Sequence, residues 1–296
     1  MDLKSCRVLV TPTSFGKYNP QIRTSLEEAV GEVIYNTTGK PLPSEALLEL
    51  LPGIDGYIAG LDWIDEKALA SADNLQVVAR YGVGVDRVDL AAAEAKGIIV
   101  TNTPGANSAS VAELTIALIM MSARHLEDIT ESIKNGQWQP QNGSELKYKT
   151  LAIIGCGSIG NRVAQIASFG LRMKVIGNDT RELDGDWMKQ TYGFESIGRD
   201  FDKAVTGADF VSLHLPLRET TKFFINAEKL KQLSKSSWLI NTSRGAIVDE
   251  MALFMALQSG SIAGAALDVF MNEPYEPLDQ KYDLRLLNNV IFTPHI

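Results

Sequence analysis

Short runs of β-branched and aliphatic residues alternate along this chain with longer stretches whose apolar positions recur at helical spacing. RVLV (7–10), GEVIY (31–35), GYIAG (56–60), LQVVA (75–79) and IIVTN (98–102) read as strands. Between them, SEALLELL (44–51) and DLAAAEAKG (89–97) carry the helical period, the second closing on a Gly stop. After Pro104 the pattern lengthens into a helix with Asn107 or Ser108 as N-cap and VAELTIALIMMSARHL as its body. A polar, Gly-containing segment (135–149) then leads into the strand LAIIG. KVIGND (174–179), DFVSLHL (209–215), SWLINTS (237–243), AGAALDV (263–269) and NVIFTP (289–294) continue the alternation.

Strand–helix alternation at this spacing implies parallel, doubly wound sheets and an α/β class. The expected organisation is one domain over roughly 1–104 and a second over roughly 105–290, with 291–296 turning back toward the first. Composition agrees with a globular protein: of 296 residues 45% are apolar and 22% charged. A net charge of −8 argues against a general nucleic-acid or anionic-membrane surface, although a local cleft can still attract anions. Cys6 and Cys156 are the only cysteines, so neither a disulfide framework nor a thiolate metal cluster is expected. The N-terminus lacks the apolar core of a signal peptide, and LTIALIMM (114–121) is too short to span a bilayer. A cytoplasmic protein without membrane partner or metal is expected.

The strongest local motif is Gly155-Cys156-Gly157-Ser158-Ile159-Gly160, between the strand LAIIG and the helical NRVAQIASFG. Such glycines also occur in plain turns, but a strand before and a helix after are what dinucleotide binding requires. The first Gly permits the tight turn, the second lets main chain approach a pyrophosphate, and the third allows close helix–strand packing. The helix N-terminus then offers its N–H groups to the phosphates. Asp179 ends the next strand, 19 residues beyond Gly160, where a carboxylate accepts both ribose hydroxyls and favours NAD over NADP. Arg181 complicates that preference, because a guanidinium can accommodate a 2′-phosphate.

Polar residues gather where strands stop. His214 follows FVSL, Arg244 follows LINTS, Asp268 follows GAAL and His295 follows VIFTP, with Glu273 just beyond Asp268. Ligands of open α/β sheets bind at these carboxyl ends. Arginine suits a carboxylate because its planar fork matches it, and histidine beside a carboxylate suits proton transfer. A lone histidine or arginine at a strand end is commonly structural, so it is their joint occurrence that points to keto-acid chemistry.

At these residues the chain resembles the D-isomer-specific 2-hydroxyacid dehydrogenase family. The resemblance runs from about residue 44 to the last residue, through RYGVGVDRVDLAAAEAKGIIVTNTPGANSASVAEL (80–114), the GCGSIG loop, SLHLPLRET (212–220), NTSRGAIVDEMAL (241–253), AALDVFMNEP (265–274) and TPHI (293–296). It implies two Rossmann-like or flavodoxin-like doubly wound domains with substrate in the cleft between them, NAD as cofactor, and a homodimer paired through the cofactor domain and the helix near 107–125. Arg244 would bind the substrate carboxylate and keto oxygen, and His295 would act as acid/base with Glu273 as its partner. Asp268 would hold the nicotinamide carboxamide, Thr242, Ser243 and Thr220 would lie near the cofactor, and His214 and Pro216 would flank its adenosine end. Val83 and Gly84 would offer N–H groups to the substrate carboxylate from the first domain. The family continues past its catalytic histidine with a small turn and a helix returning to the first domain, so residues beyond Ile296 are expected to complete that domain, with a further regulatory domain left open.

The expected reaction is hydride transfer between NAD(H) and a small D-2-hydroxy or 2-keto acid. Arg80, beside the Val83-Gly84 loop, suits an additional anionic group, so D-3-phosphoglycerate is the first expectation, with glyoxylate, hydroxypyruvate or another short 2-keto acid as alternatives. A different class, an NAD-sensing corepressor-like binding protein, shares the fold but has no need of the catalytic trio. A formate or phosphite dehydrogenase would keep the nicotinamide site and differ in its substrate pocket.

Overall fold

The computed structural model describes residues 2–296. The chain separates into two compact units, one ending at Asn107 and the other beginning at Ser108. The boundary read from the sequence fell at 104/105, and residues 291–296 group with the second unit.

In the first unit, strands β1 (Arg7–Val10), β2 (Glu32–Tyr35), β3 (Gly56–Ala59), β4 (Val77–Arg80) and β5 (Ile99–Thr101) form one parallel sheet ordered β2-β1-β3-β4-β5. Successive side chains of a strand face opposite sides. Accordingly Leu9 joins a core with Leu47, Leu51, Ile54, Tyr57 and Leu69, while Val8 and Val10 pack with Phe15 and Val30. Two of its helices begin where short acidic residues satisfy first-turn N–H groups: Asp65 accepts from Ala68 and Asp89 from Ala92, each at 2.9 Å. Buried Asp62 accepts from Tyr57 Oη at 2.9 Å, Gly60 N at 3.0 Å, Leu42 N at 2.6 Å and the Thr11 hydroxyl, tying together the carboxyl ends of β1 and β3.

The second unit holds β6 (Thr150–Ile154), β7 (Lys174–Asn178), β8 (Ser196–Gly198), β9 (Phe210–Leu213), β10 (Trp238–Asn241), β11 (Gly264–Leu267) and β12 (Val290–Phe292). They form a seven-stranded sheet ordered β12-β11-β10-β9-β6-β7-β8, and every pairing is parallel. The central strands are near-continuous apolar runs because both faces are covered. Leu151 and Ile153 enter one core with Ile119, Val163 and Val175; Ala152 and Ile154 enter another with Leu239, Leu253 and Phe254.

Three local features depart from the sequence reading. The helix Ser108–Arg124 stops at His125, whose φ of 51° is left-handed, and restarts as Leu126–Lys134. The helix Ser158–Gln165 continues into a π-turn, Ile166–Gly170. The edge strand β8 had no sequence signature, being three residues with both ends exposed. Among the described residues no single helix is long and apolar enough to cross a membrane.

Candidate active site

The second sheet reverses its winding between β6 and β9, its neighbours at the switch point. A crevice opens outside the carboxyl ends of such strands. The glycine loop leaves β6 there, and His214 leaves β9 beside it. Gly155 has φ 98°, and a Cβ on it would stand 2.5 Å from the His214 carbonyl oxygen. A Cβ on Gly160 would stand 2.2 Å from the Gly155 carbonyl oxygen. These two glycines are demanded by packing. Gly157 is different: a Cβ there meets nothing within 4 Å, so only an incoming group needs the space. Gly157 is also the N-cap of the helix opening with Ser158, Ile159 and Gly160, and no side chain caps its N–H groups. Open space in front of uncapped N–H groups fits a phosphate.

Asp179 follows β7 and folds back on this loop, its Oδ2 accepting from Cys156 N at 2.9 Å. Hydrogen bonds from Arg181 hold its carboxyl at about 2, well below the usual carboxylate range. Burial, then the Asp179 charge, push the Cys156 thiol up to about 12, so it is an inert filler of the loop. His214 bonds through Nε2 to Ser212 Oγ at 2.9 Å, and its buried Nδ1 has no partner among the described residues. Burial depresses its imidazole to about 3, leaving it neutral. Pro216 and Thr220 follow on an exposed loop.

Past β10, Asn241 shapes the next turn: its Oδ1 accepts from Ser243 N (3.1 Å) and Oγ (2.7 Å), and its Nδ2 donates to Arg244 O at 2.9 Å. Thr242 and Thr115 share a buried hydroxyl–hydroxyl bond of 2.9 Å. Arg244 Nη1 donates to Ser243 O at 2.6 Å. Past β11, Asp268 Oδ1 accepts from Thr293 Oγ1 (2.6 Å) and Ile296 N (3.2 Å), gripping the turn after β12 on both sides of His295. His295 itself has φ 54°, a left-handed conformation that a non-glycine residue needs such support to keep. Its Nδ1 lies 2.9 Å from Glu273 Oε2, and Glu273 Oε1 accepts from Phe270 N at 3.1 Å. The structure therefore unites His295 and Glu273 directly, with Asp268 behind the histidine.

In the first unit, Arg80 ends β4 and is 7% exposed, with Nη1 donating to Ala59 O at 3.2 Å and Tyr81 O at 2.9 Å. Val83 and Gly84 follow in a loop held by Asn102 Nδ2, which donates to Val83 O at 2.7 Å.

Residues 116–296 match the family described as D-isomer specific 2-hydroxyacid dehydrogenase, NAD binding domain. Over 290 residues the chain is 35% identical to hydroxypyruvate reductase of Thermotoga maritima, covering 95% of this chain and 91% of that one. The chain belongs to the D-isomer specific 2-hydroxyacid dehydrogenase family. It is also 40% identical to D-3-phosphoglycerate dehydrogenase of Methanocaldococcus jannaschii over 275 residues, 90% of this chain and 50% of that longer protein. Among solved structures, D-lactate dehydrogenase from Aquifex aeolicus complexed with NAD and lactic acid superposes with a TM-score of 0.81 at 29% identity, covering 98% of this chain and 89% of that one. The protein is thus an NAD-dependent 2-hydroxyacid oxidoreductase, as its motifs implied, and its glycine loop fits the dinucleotide.

Sequence reasoning missed two supports of this dehydrogenase site. Asp268 was assigned to the cofactor alone, without its bonds to Thr293 and Ile296. Glu250, 6% exposed, accepts from Met271 N at 2.7 Å and steadies the loop carrying Glu273. In sequence it reads only as an acidic first-turn residue, since its partner is remote.

Proposed function

We propose that this dehydrogenase reduces short, unphosphorylated 2-keto acids such as hydroxypyruvate and glyoxylate, with His295 as acid/base, Glu273 as its partner and Arg244 as the group holding the substrate carboxylate and keto oxygen. The observation that carries this reading is the 2.9 Å contact between His295 Nδ1 and Glu273 Oε2. The carboxylate accepts, so Nδ1 carries the hydrogen and Nε2 is the ring atom left to give a proton to the developing alkoxide. Bound NADH supplies the hydride. Gly155, Gly157, Ser158, Ile159 and Gly160 would hold its pyrophosphate, Asp179 its ribose, and His214 and Pro216 its adenosine end, with Thr220 near the cofactor. Thr242, Ser243 and Asp268 would line the nicotinamide end. The planar fork of the Arg244 guanidinium orients a planar carboxylate.

We assign substrate recognition to the first unit through the N–H groups of Val83 and Gly84. Arg80 favours the unphosphorylated substrates: it is buried, and its Nη1 serves two main-chain carbonyls, as a residue shaping the loop would. D-3-phosphoglycerate, expected first from the sequence, becomes the second reading, supported by the 40% identity to a relative of that name. We further propose a cytoplasmic homodimer without nucleic-acid or membrane partners.

A panel of hydroxypyruvate, glyoxylate and 3-phosphohydroxypyruvate, followed by NADH absorbance, tests the substrate class. At least tenfold higher kcat/KM for the unphosphorylated acids, roughly the discrimination one pocket contact supplies, is expected; the reverse order overturns the assignment. His295→Ala should lower kcat by roughly 10²–10⁴, with NADH affinity retained. A variant with near-normal turnover removes His295 from the reaction.

A further inference from the structure

A ribose diol brings two O–H donors to the carboxylate that receives it, and a carboxylate has about four lone-pair positions. On Asp179 four donors already stand at hydrogen-bond distance. Oδ2 accepts from Cys156 N at 2.9 Å and from Arg181 Nη2 at 2.8 Å; Oδ1 accepts from Arg181 N at 2.9 Å and from Arg181 Nε at 3.0 Å. Arg181 Nη2 also donates to Cys156 O at 3.0 Å, closing the guanidinium over the glycine loop. The two main-chain donors are fixed by the loop and the turn. Only the guanidinium can leave: the Arg181 side chain is 58% exposed, against 9% for Asp179.

We propose that Arg181 sets the cofactor selectivity of this enzyme, occupying the diol-accepting carboxylate against NAD and receiving the 2′-phosphate of NADP, so that the chain discriminates only weakly between the two. The inference rests on the nicotinamide-dinucleotide reading of this loop. For NAD, the diol must displace the guanidinium, replacing two bonds between opposite charges by two in which only the carboxylate is charged, while Arg181 turns out to solvent. For NADP, the phosphate brings acceptor oxygens and no donors, so it matches the guanidinium's donors and leaves the main-chain bonds of Asp179 in place. The Arg181 charge offsets that of Asp179, which otherwise repels the phosphate.

Calorimetric titration of the full chain with NADH and with NADPH, read beside steady-state KM, tests this. The wild type should show dissociation constants within about tenfold of each other, and Arg181→Ala should tighten NADH about tenfold and weaken NADPH about tenfold, the scale of one or two charge-assisted bonds. Arg181→Lys keeps the cation but cannot fill both carboxylate oxygens; it should tighten NADH and keep NADPH binding within about threefold. Wild-type rejection of NADPH by about a thousandfold or more, or an Arg181→Ala variant that leaves both constants within about twofold, overturns the proposal alone. A wild type that binds neither dinucleotide overturns the cofactor reading with it.

Discussion

Replacing Glu250 separates two things that its carboxyl does. It opens the helix Glu250–Gln258, is 6% exposed, and its Oε1 accepts from Met271 N at 2.7 Å. Met271 lies between Phe270, whose N–H donates to Glu273, and Glu273 itself, which holds His295. Glu250→Ala removes the acceptor and leaves a part-buried N–H without a partner, a loss of about 1–3 kcal/mol. Because the freed loop carries Glu273, kcat should fall while NADH affinity persists. Glu250→Gln keeps a carbonyl oxygen for Met271 and removes only the charge.

The charge has its own sign. Burial, more than the nearby Asp249 and Glu273, raises the Glu250 pKa above its ordinary 4.5. The folded state therefore holds this proton more tightly than the unfolded one, and stability falls as pH rises from 4.5 through the raised value. The deficit persists at neutral pH. Glu250→Gln abolishes it, so that variant should be at least as stable as wild type at neutral pH and lose ground to it in acid. Urea unfolding of wild type and both variants at neutral and mildly acidic pH, with m compared throughout, measures each effect. Equal stabilities for the Ala and Gln variants, or an Ala variant within about 0.5 kcal/mol of wild type, refute the reasoning.

Gly245→Ala should destabilise the chain by about 1–3 kcal/mol or more and depress turnover, because the new Cβ would stand 1.9 Å from the Phe270 carbonyl carbon and push the Arg244 turn from the Glu273 loop; thermal unfolding at wild-type temperature contradicts this. His214, depressed to about 3 by burial, should show no titration of its ring signals by NMR near neutrality. Its unfolded form takes up a proton below 6.5, so it removes stability as pH falls from 6.5 toward 3; a midpoint near 6.5 in the folded protein negates its burial.

What the sequence disclosed, and what it withheld, follows from the range of each interaction. The glycine loop was legible because its requirements are local: a strand, a turn that tolerates no side chain at Gly155 and Gly160, and a helix start. The doubly wound class was legible too, since buried parallel strands such as β6 and β11 are near-continuous apolar runs. Edge strand β8 was not, because a strand with exposed ends needs no such run. The His295–Glu273 contact joins residues 22 apart across two separate turns, so their joint occurrence suggested it, spacing alone left it open and the resemblance strengthened it. Arg80 and Arg181 were both noted as cations, yet charge does not say which acceptors are already supplied. That depends on how many carbonyl and carboxylate oxygens the fold brings within reach, two main-chain carbonyls for Arg80 Nη1 and both oxygens of Asp179 for Arg181. A cation's role in such a site is therefore decided by competition among acceptors, which is why the proposed substrate and the cofactor preference both turn on arginines whose presence alone was uninformative.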